Sequence, residues 1–385
     1  MDTRELTDLV LRTTADVAEM RRQLTELVSR EQRVAAALRG LQQRIEGYLA
    51  GFDRTAFAVT DQRLLIKNLA AEILIFEKLG YPVDTTASAW FILALAAFLD
   101  GRNMAALEFF KRFIDEVEGS NPNLRHAHYL SGMIAYNCRD FAHASERFEA
   151  AFRYSPDTAK DWQSKIYEAE LAFFRRRPRE VVERAFFDAE EGLKGLEIQS
   201  GKTATQSFLW ATLNMKKGNC YAGTFMPPRE PNSLVNNPLA VDCYKQARHW
   251  CRQVSHGQSL LPVVVDYSLA QALLVSGTLD TDLAQTPSEL MYDVFHRLRR
   301  VLLDKREEII LAQGYFMLGT CAVFSSRVNS QVGEIYLEHA RHQTLTVPSD
   351  MSFFSCVTKE MLSRDEFVRQ IDFYANQLAE LSERR

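Results

Sequence analysis

The apolar residues of the first fifty positions recur at alternating three- and four-residue steps. This spacing is the a/d seam of a coiled coil. Thr13 and Glu31 interrupt it, and Gly40 and Gly47 are the only helix-weakening residues between positions 4 and 49. The pattern predicts one long amino-terminal helix over residues 1–50. Its seam positions are Leu6, Val10, Val17, Met20, Leu24, Leu27, Val34, Leu38, Leu41, Ile45 and Tyr48.

Three uses of this helix fit the pattern. It could pair with a second copy through residues 6–48, fold back on the rest of the chain, or bind an independent partner. Additional apolar residues at Leu9, Val28, Ala35 and Ala37 widen the stripe beyond a and d. A wide stripe is typical of a helix with several helical neighbours.

Residues 51–86 are predicted to form a connecting segment that packs on the first of the helix pairs beginning at residue 87. Its helix covers Asp61 to Leu79, where apolar residues occupy more than one face, and Gly80-Tyr81-Pro82 ends it.

From residue 87 the pattern changes to shorter amphipathic helices in pairs. The clearest pair, residues 125–156, has a polar turn at Cys138-Arg139-Asp140. Gly132 lacks a side chain where the second helix must approach. Pro156 stops that second helix because it has no N–H group and clashes with the preceding turn. The docking face of the second helix is predicted to consist of Ala144, Phe148 and Ala151.

This pair resembles a tetratricopeptide repeat (TPR) unit, which has small residues, an aromatic and a terminal proline within about 34 residues. The resemblance covers residues 87–343 as six pairs, with an insertion at 222–238. It implies an all-α solenoid, a right-handed superhelix of antiparallel helix pairs, preceded by the long amino-terminal helix. Residues 344–385 are then capping helices, two after Pro348, the last beginning at a Ser363–Glu366 capping box.

The resemblance also implies a binding site. In TPR arrays the first helix of each pair lines a concave groove, and its aromatic and apolar character here favours an extended peptide or a helix as partner. The groove residues would be Tyr129, Met133, Tyr136, Asn137, Gln163, Tyr167 and Glu170. In the preceding unit Phe91, Leu95 and Phe98 are interpreted as covered by the amino-terminal helices.

Composition and charge narrow the class of protein. The formal net charge of −4 disfavours a nucleic-acid binder. The longest apolar run, from Ala89 to Leu99, is too short to span a bilayer. Six scattered cysteines without a CxxC pair favour reduced thiols, and hence a cytoplasmic location.

Four local clusters contain residue types that could carry chemistry. Arg175, Arg176, Arg177 and Arg179 form the sharpest charge feature, which is a solvated turn, a dock for an acidic partner segment or a contact for nucleic acid. Residues 200–203 end like a phosphate-binding loop, but Leu196 stands where its first glycine belongs. Residues 338–342 hold two histidines and a glutamate without a third matching ligand. The histidine and two cysteines within 243–251 share one helix and cannot converge on one ion. No catalytic, cofactor or metal site is therefore predicted.

These observations favour a non-catalytic scaffold, adaptor or regulatory subunit that captures a protein or peptide in the groove. A second interpretation comes from a different class. In size and layout the chain resembles bacterial Rap-type regulators, which join a helical bundle to TPR pairs, bind short peptides and in some cases dephosphorylate response regulators.

Overall fold

A computed structural model describes most of the chain, and its described residues divide into two compact units, Met1–Val117 and Glu118–Arg385. Within the described ranges the chain forms fifteen helices and one two-stranded hairpin. Those ranges are 3–52, 60–81, 87–117, 121–155, 161–200, 203–222, 236–253, 261–276, 285–302, 308–349, 352–358 and 361–383.

The amino-terminal unit consists of four helices, and the predicted long first helix is confirmed. The carboxyl-terminal part of this helix packs against the next two, where Leu41, Ile45 and Leu49 are buried. The Arg44 guanidinium also donates to both carboxylate oxygens of Glu72. The helices are α1 (Thr3–Ala50), α2 (Thr60–Lys78), α3 (Ala87–Leu99) and α4 (Asn103–Glu116).

Further towards its amino terminus, α1 has an exposed stretch. From Glu19 to Arg33 every side chain that the structure describes is exposed, including Met20 at 61% and Val28 at 46%. The last turns of α1 are therefore packed against other helices, whereas Met20, an earlier position of the same seam, is exposed. The side chains of Leu6, Val10, Val17, Leu24 and Leu27 lie outside the described residues.

Helices α3 and α4 form an antiparallel pair, and they differ in how much of their surface is buried. α3 is buried on nearly every face, whereas α4 buries one stripe that includes Phe110 and Phe113. The interpretation that Phe91, Leu95 and Phe98 are covered is confirmed for Phe91 and Leu95, which are fully buried, whereas Phe98 is only half-buried. The Phe52 ring, just after α1, lies 5.2 Å from the Phe91 ring.

The second unit continues the succession of paired helices, in which each helix packs on the next along the chain. This arrangement is that of a helical repeat array. The first helices of two pairs, α5 and α11, are buried on most faces, and the helices that follow them, α6 and α12, are more amphipathic. The helices are α5 (Asn123–Asn137), α6 (Phe141–Arg153), α7 (Trp162–Phe174), α8 (Arg179–Ser200), α9 (Ala204–Ala222), α10 (Asn237–Cys251), α11 (Leu261–Ser276), α12 (Pro287–Leu302), α13 (Glu308–Phe324), α14 (Ser330–Thr346) and α15 (Arg364–Glu383).

The pair α5–α6 follows the predicted design. Arg139 adopts a left-handed conformation with φ of 62°, and the Asp140 carboxylate accepts a hydrogen bond from the His143 backbone N–H at 3.1 Å. A methyl group on Gly132 would lie 2.9 Å from the Phe148 ring. The absence of a side chain at Gly132 therefore sets how closely the two helices approach.

The carboxyl terminus differs from the prediction of two helices after Pro348. In place of the first there is a hairpin, in which β1 (Ser352–Phe354) pairs antiparallel with β2 (Met361–Ser363). Phe353 and Leu362 are directly opposed and both buried, a contact that strand pairing supplies. The second predicted helix exists as α15. Its capping box is confirmed, because Glu366 accepts hydrogen bonds from the Ser363 N–H at 2.8 Å and hydroxyl at 2.7 Å.

Candidate interaction site

The seven residues predicted to line a groove lie on α5 and α7, in the second unit. Three of them are interior, since Tyr129, Tyr136 and Glu170 are 6%, 4% and 1% exposed. Their side chains contact other helices and present little surface to solvent. The half-buried members of the set are Met133, Asn137, Gln163 and Tyr167.

Glu170 is the centre of a buried polar cluster. Its Oε2 atom lies 2.7 Å from the Nζ atom of Lys216 on α9, and it accepts a hydrogen bond from the Tyr136 hydroxyl at 2.9 Å. Side chains from α5, α7 and α9 thus meet at one carboxylate. The cluster ties together the first helices of three successive pairs.

Aromatic rings complete the surroundings of the Lys216 ammonium. Its Nζ atom lies 4.6 Å from the centroid of the Tyr167 ring and 5.3 Å from that of Tyr136. Both are cation–π distances. The other carboxylate oxygen of Glu170, Oε1, is buried without a hydrogen-bond partner among the described residues.

The environment fixes the protonation states of this cluster. Burial alone lowers the pKa of Lys216, but the Glu170 charge and the surrounding groups outweigh it and raise that pKa above 10.5. Burial and the Glu170 charge raise the pKa of the Tyr136 hydroxyl well above 10.0. Burial likewise raises the pKa of the neighbouring Cys220 thiol well above 9.0. At neutral pH the amine is charged and the hydroxyl and thiol are protonated, so none of them is activated as a nucleophile.

The arginine cluster lies on the turn between α7 and α8, and all four side chains are exposed. Hydrogen bonds order the turn, from the Arg175 N–H to the Leu171 carbonyl at 2.9 Å and from the Arg177 N–H to the Ala172 carbonyl at 3.0 Å. Arg176 is left-handed, with φ of 54°. The Arg179 guanidinium donates to the Glu183 carboxylate at 2.8 Å.

The other three arginines of this turn differ from Arg179 in their ion pairing. Within the described part of the chain, no carboxylate pairs with Arg175, Arg176 or Arg177. Their turn adjoins α5, because the Phe174 ring lies 6.0 Å from the Tyr136 ring. Positive charge without a carboxylate partner among the described residues therefore lies at the carboxyl-terminal end of α7, next to the same end of α5.

Sequence reasoning missed two of the buried ionic groups of this unit. One is Lys216, and the other is Asp266 on α11, whose carboxylate pairs with Arg248 of α10 at 2.9 Å and with Arg297 of α12. For Asp266, the sequence feature that indicates a buried ionic group is a single charged residue inside an otherwise apolar helix. Asp266 is the only charged residue in Leu261–Ser276.

The structure adds no support for a chemical role of the remaining candidate residues. The ring of His339 is tilted against that of Tyr315, with ring centroids 5.5 Å apart, and His342 is exposed on the same helix. Among the described residues no group of three histidine, cysteine or acidic side chains could hold a metal ion. Residues 201–202 of the loop-like motif and 223–235 of the insertion lie outside the described ranges.

The class of this protein is defined by its fold. No protein-family model matches the sequence, and no curated protein matches it significantly. No helix in the described ranges combines the length and apolarity needed to cross a bilayer. The fold is that of an all-α protein of successively packed helices, compatible with a helical repeat solenoid.

Proposed function

We propose that the chain is a non-catalytic scaffold of TPR-like helix pairs, wound as a right-handed superhelix, which captures a segment of a partner protein. The observation that carries this proposal is the ordered turn Arg175-Arg176-Arg177, whose charges lack carboxylate partners among the described residues. The turn adjoins the carboxyl-terminal end of α5, where the half-buried Asn137 follows Tyr136. A surface of this kind fits a segment that combines acidic and aromatic or aliphatic side chains.

The buried cluster supports the same function in a different way. A partner-binding face must keep its shape before the partner arrives, because ordering it on binding costs affinity. The Lys216–Glu170 pair and the Tyr136 hydrogen bond hold α5, α7 and α9 together beneath that face. They act as positioning residues for the exposed contacts.

The test is selection of short random peptides on the full-length chain, followed by binding measurements with the selected peptides. We expect enrichment of Asp and Glu together with an aromatic or aliphatic residue. Changing Arg175, Arg176 and Arg177 together to Gln should abolish binding, while the matched change of the same three to Lys should preserve most of it. Peptides without acidic residues, or binding that survives the Gln variant, would refute the proposal.

We further propose that two copies pair through the exposed part of α1. The buried residues Leu41 and Ile45 and the exposed Met20 belong to one heptad seam, so the apolar stripe continues past the point where the chain covers it. A second copy offers an identical stripe. A homodimer would present two capture surfaces and raise the avidity for a repetitive or dimeric partner.

A further inference from the structure

The carboxyl-terminal hairpin returns to the beginning of the second unit. β1 packs against α13 and α15, its chain neighbours, and also against α5, which lies far earlier in the sequence. An exposed ion pair adds a second contact between the region of the hairpin and the end of α5. The Arg139 guanidinium, just after α5, lies 3.2 Å from the carboxylate of Glu366 at the start of α15.

The turn of the hairpin is held by α11. The Gln271 side-chain amide donates from Nε2 to the Val357 carbonyl at 2.7 Å. Gln271 is 8% exposed, and Cys356 and Val357 belong to the same buried cluster as Tyr267 of α11. The buried Gln271 therefore holds this turn through a main-chain atom rather than through a side chain.

This contact provides a hydrogen-bond partner for only one of the two polar atoms of the Gln271 amide, its Nε2. Its Oε1 atom is buried and has no hydrogen-bond partner in the described part of the chain. The same side chain lines a small cavity of about 30 Å³, together with Tyr244 and Ser268. An extended segment in strand conformation offers both a carbonyl and an N–H, and it could satisfy both ends of the amide. The described residues of the resident hairpin, 352–358 and 361–363, supply only the carbonyl.

We propose that the face formed by α5, α11 and α13 is a docking surface for an extended segment, and that the described hairpin residues, 352–358 and 361–363, are its resident occupant. These three helices are the first members of their pairs, and first helices line the binding face in the TPR-like arrangement. The partner that fits is an extended segment with an aromatic side chain in place of Phe353 and a free backbone N–H for Gln271. It binds by displacing the hairpin.

This inference rests on the proposed function, because displacement matters only if the chain captures partners. The physical basis for displacement is the size of the occupant. Each strand has three residues, and a two-stranded hairpin of this size has little stability of its own. The hairpin is held by its contacts with the helices, so a competing segment needs to replace only those contacts.

The test uses a synthetic peptide that copies residues 349–365 with Cys356→Ser, labelled for fluorescence anisotropy. In the full-length variant Phe353→Ala the resident hairpin loses its main aromatic contact, the ring of Phe367 at 5.0 Å. We expect this variant to bind the peptide at least about tenfold more tightly than the wild type does, because the competent state is more populated. The matched control Phe373→Ala, at a ring that is 54% exposed, should behave as wild type.

Two further measurements make the result decisive. Adding Gln271→Leu to Phe353→Ala should remove the gain in affinity, and a peptide carrying Phe353→Ala should not bind. If Phe353→Ala does not fold, Arg139→Glu replaces it, since that change opens the exposed ion pair without touching the core. Its control is Arg153→Glu, which breaks an exposed pair within α6.

A gain in peptide affinity for either loosened variant over its control supports the proposal. Absence of a gain in the folded loosened variants means that the hairpin is a fixed part of the core, and it overturns the proposal. Acidic peptides selected on the Arg175–Arg177 turn would still bind in that case. Failure of the docking surface is thereby distinguished from failure of the scaffold function.

Discussion

Lys216 and Glu170 form an ion pair in the interior of the second unit, with 2.7 Å between Nζ and Oε2 and side-chain exposures of 8% and 1%. They belong to helices of consecutive pairs. A buried pair of this kind contributes little net stability, because desolvation offsets the attraction, but removing one partner leaves an uncompensated buried charge. The pair therefore selects one packing of α7 against α9.

Changing one member of this pair should be far more damaging than changing both. We expect Lys216→Met alone to destabilise the chain by about 3–5 kcal/mol, since the Glu170 carboxylate is then buried without a cation. The double variant Lys216→Met with Glu170→Gln should recover most of that loss. Urea unfolding of the two singles and the double gives the coupling energy. Additive losses would show that the two side chains do not interact.

The same ion pair predicts that the chain loses stability at alkaline pH. The pKa of Lys216 is raised above 10.5 in the folded chain, so the folded state holds this proton more tightly than the unfolded state does. Its contribution to stability is complete below pH 10.5 and is lost as the pH rises from there through the folded pKa. The double variant should lack this part of the alkaline loss, which urea unfolding on both sides of pH 10.5 measures.

His128 should produce a pH dependence on the acid side. Its ring stacks on Tyr154 with centroids 5.2 Å apart, and burial, together with the charges of Arg147 and Arg153, lowers its pKa from 6.5 to about 4. The folded state excludes a proton that the unfolded state binds. Stability should therefore be full above pH 6.5 and fall as the pH drops towards 4, by on the order of 2–3 kcal/mol.

The variant His128→Gln removes the titrating group and should flatten this part of the stability curve. The exposed His342→Gln serves as control and should leave the slope unchanged. Unfolding free energies from urea titrations at several pH values between about 4 and 7 check both expectations. An unaltered acid slope in His128→Gln would assign the effect to other groups.

Two glycines in helices should respond in opposite directions to the same substitution. Gly132→Ala places a methyl group 2.9 Å from the Phe148 ring, and we expect a loss of about 1–3 kcal/mol from overpacking. At Gly195, in α8, no atom lies within 4 Å of the added methyl group. There the better helix propensity of alanine should stabilise by roughly 0.5–1 kcal/mol. Thermal unfolding of the two variants, compared with wild type, measures both signs.

Gly132 also shows which part of the fold could be predicted from sequence. A glycine that faces a large aromatic residue at a fixed offset is a local sequence signal for a close helix crossing. The turn at Arg139 and the cap at Ser363 are likewise indicated by the residues next to them in the chain. Contacts between residues far apart in the chain carry no such local signal. The return of the hairpin to α5, seen in the Arg139–Glu366 pair, is of this kind.

The candidate site was predictable in position but not in exposure. The helical pattern places Tyr136 and Glu170 on first helices of their pairs, yet it does not report what covers them. Part of the cover comes from Lys216, two helices later, and the pattern of α5 and α7 does not indicate it. The three exposed arginines needed no such information, because a charged turn between two helices is solvated by default.

The exposed seam of α1 predicts self-association of the whole chain. The wild type should have about twice the monomer mass of 44.0 kDa in light scattering. The double variant Met20→Glu with Val28→Glu should shift it to the monomer, because it puts like charges in the apolar stripe of both copies. Thr25→Glu with Gln32→Glu adds the same charge to exposed positions off the seam and should leave the dimer intact. The buried end of α1 at Leu41 and Ile45 is untouched by either pair, so helix content should not change. A wild type of monomer mass, or equal dissociation of both variants, would contradict pairing through this seam.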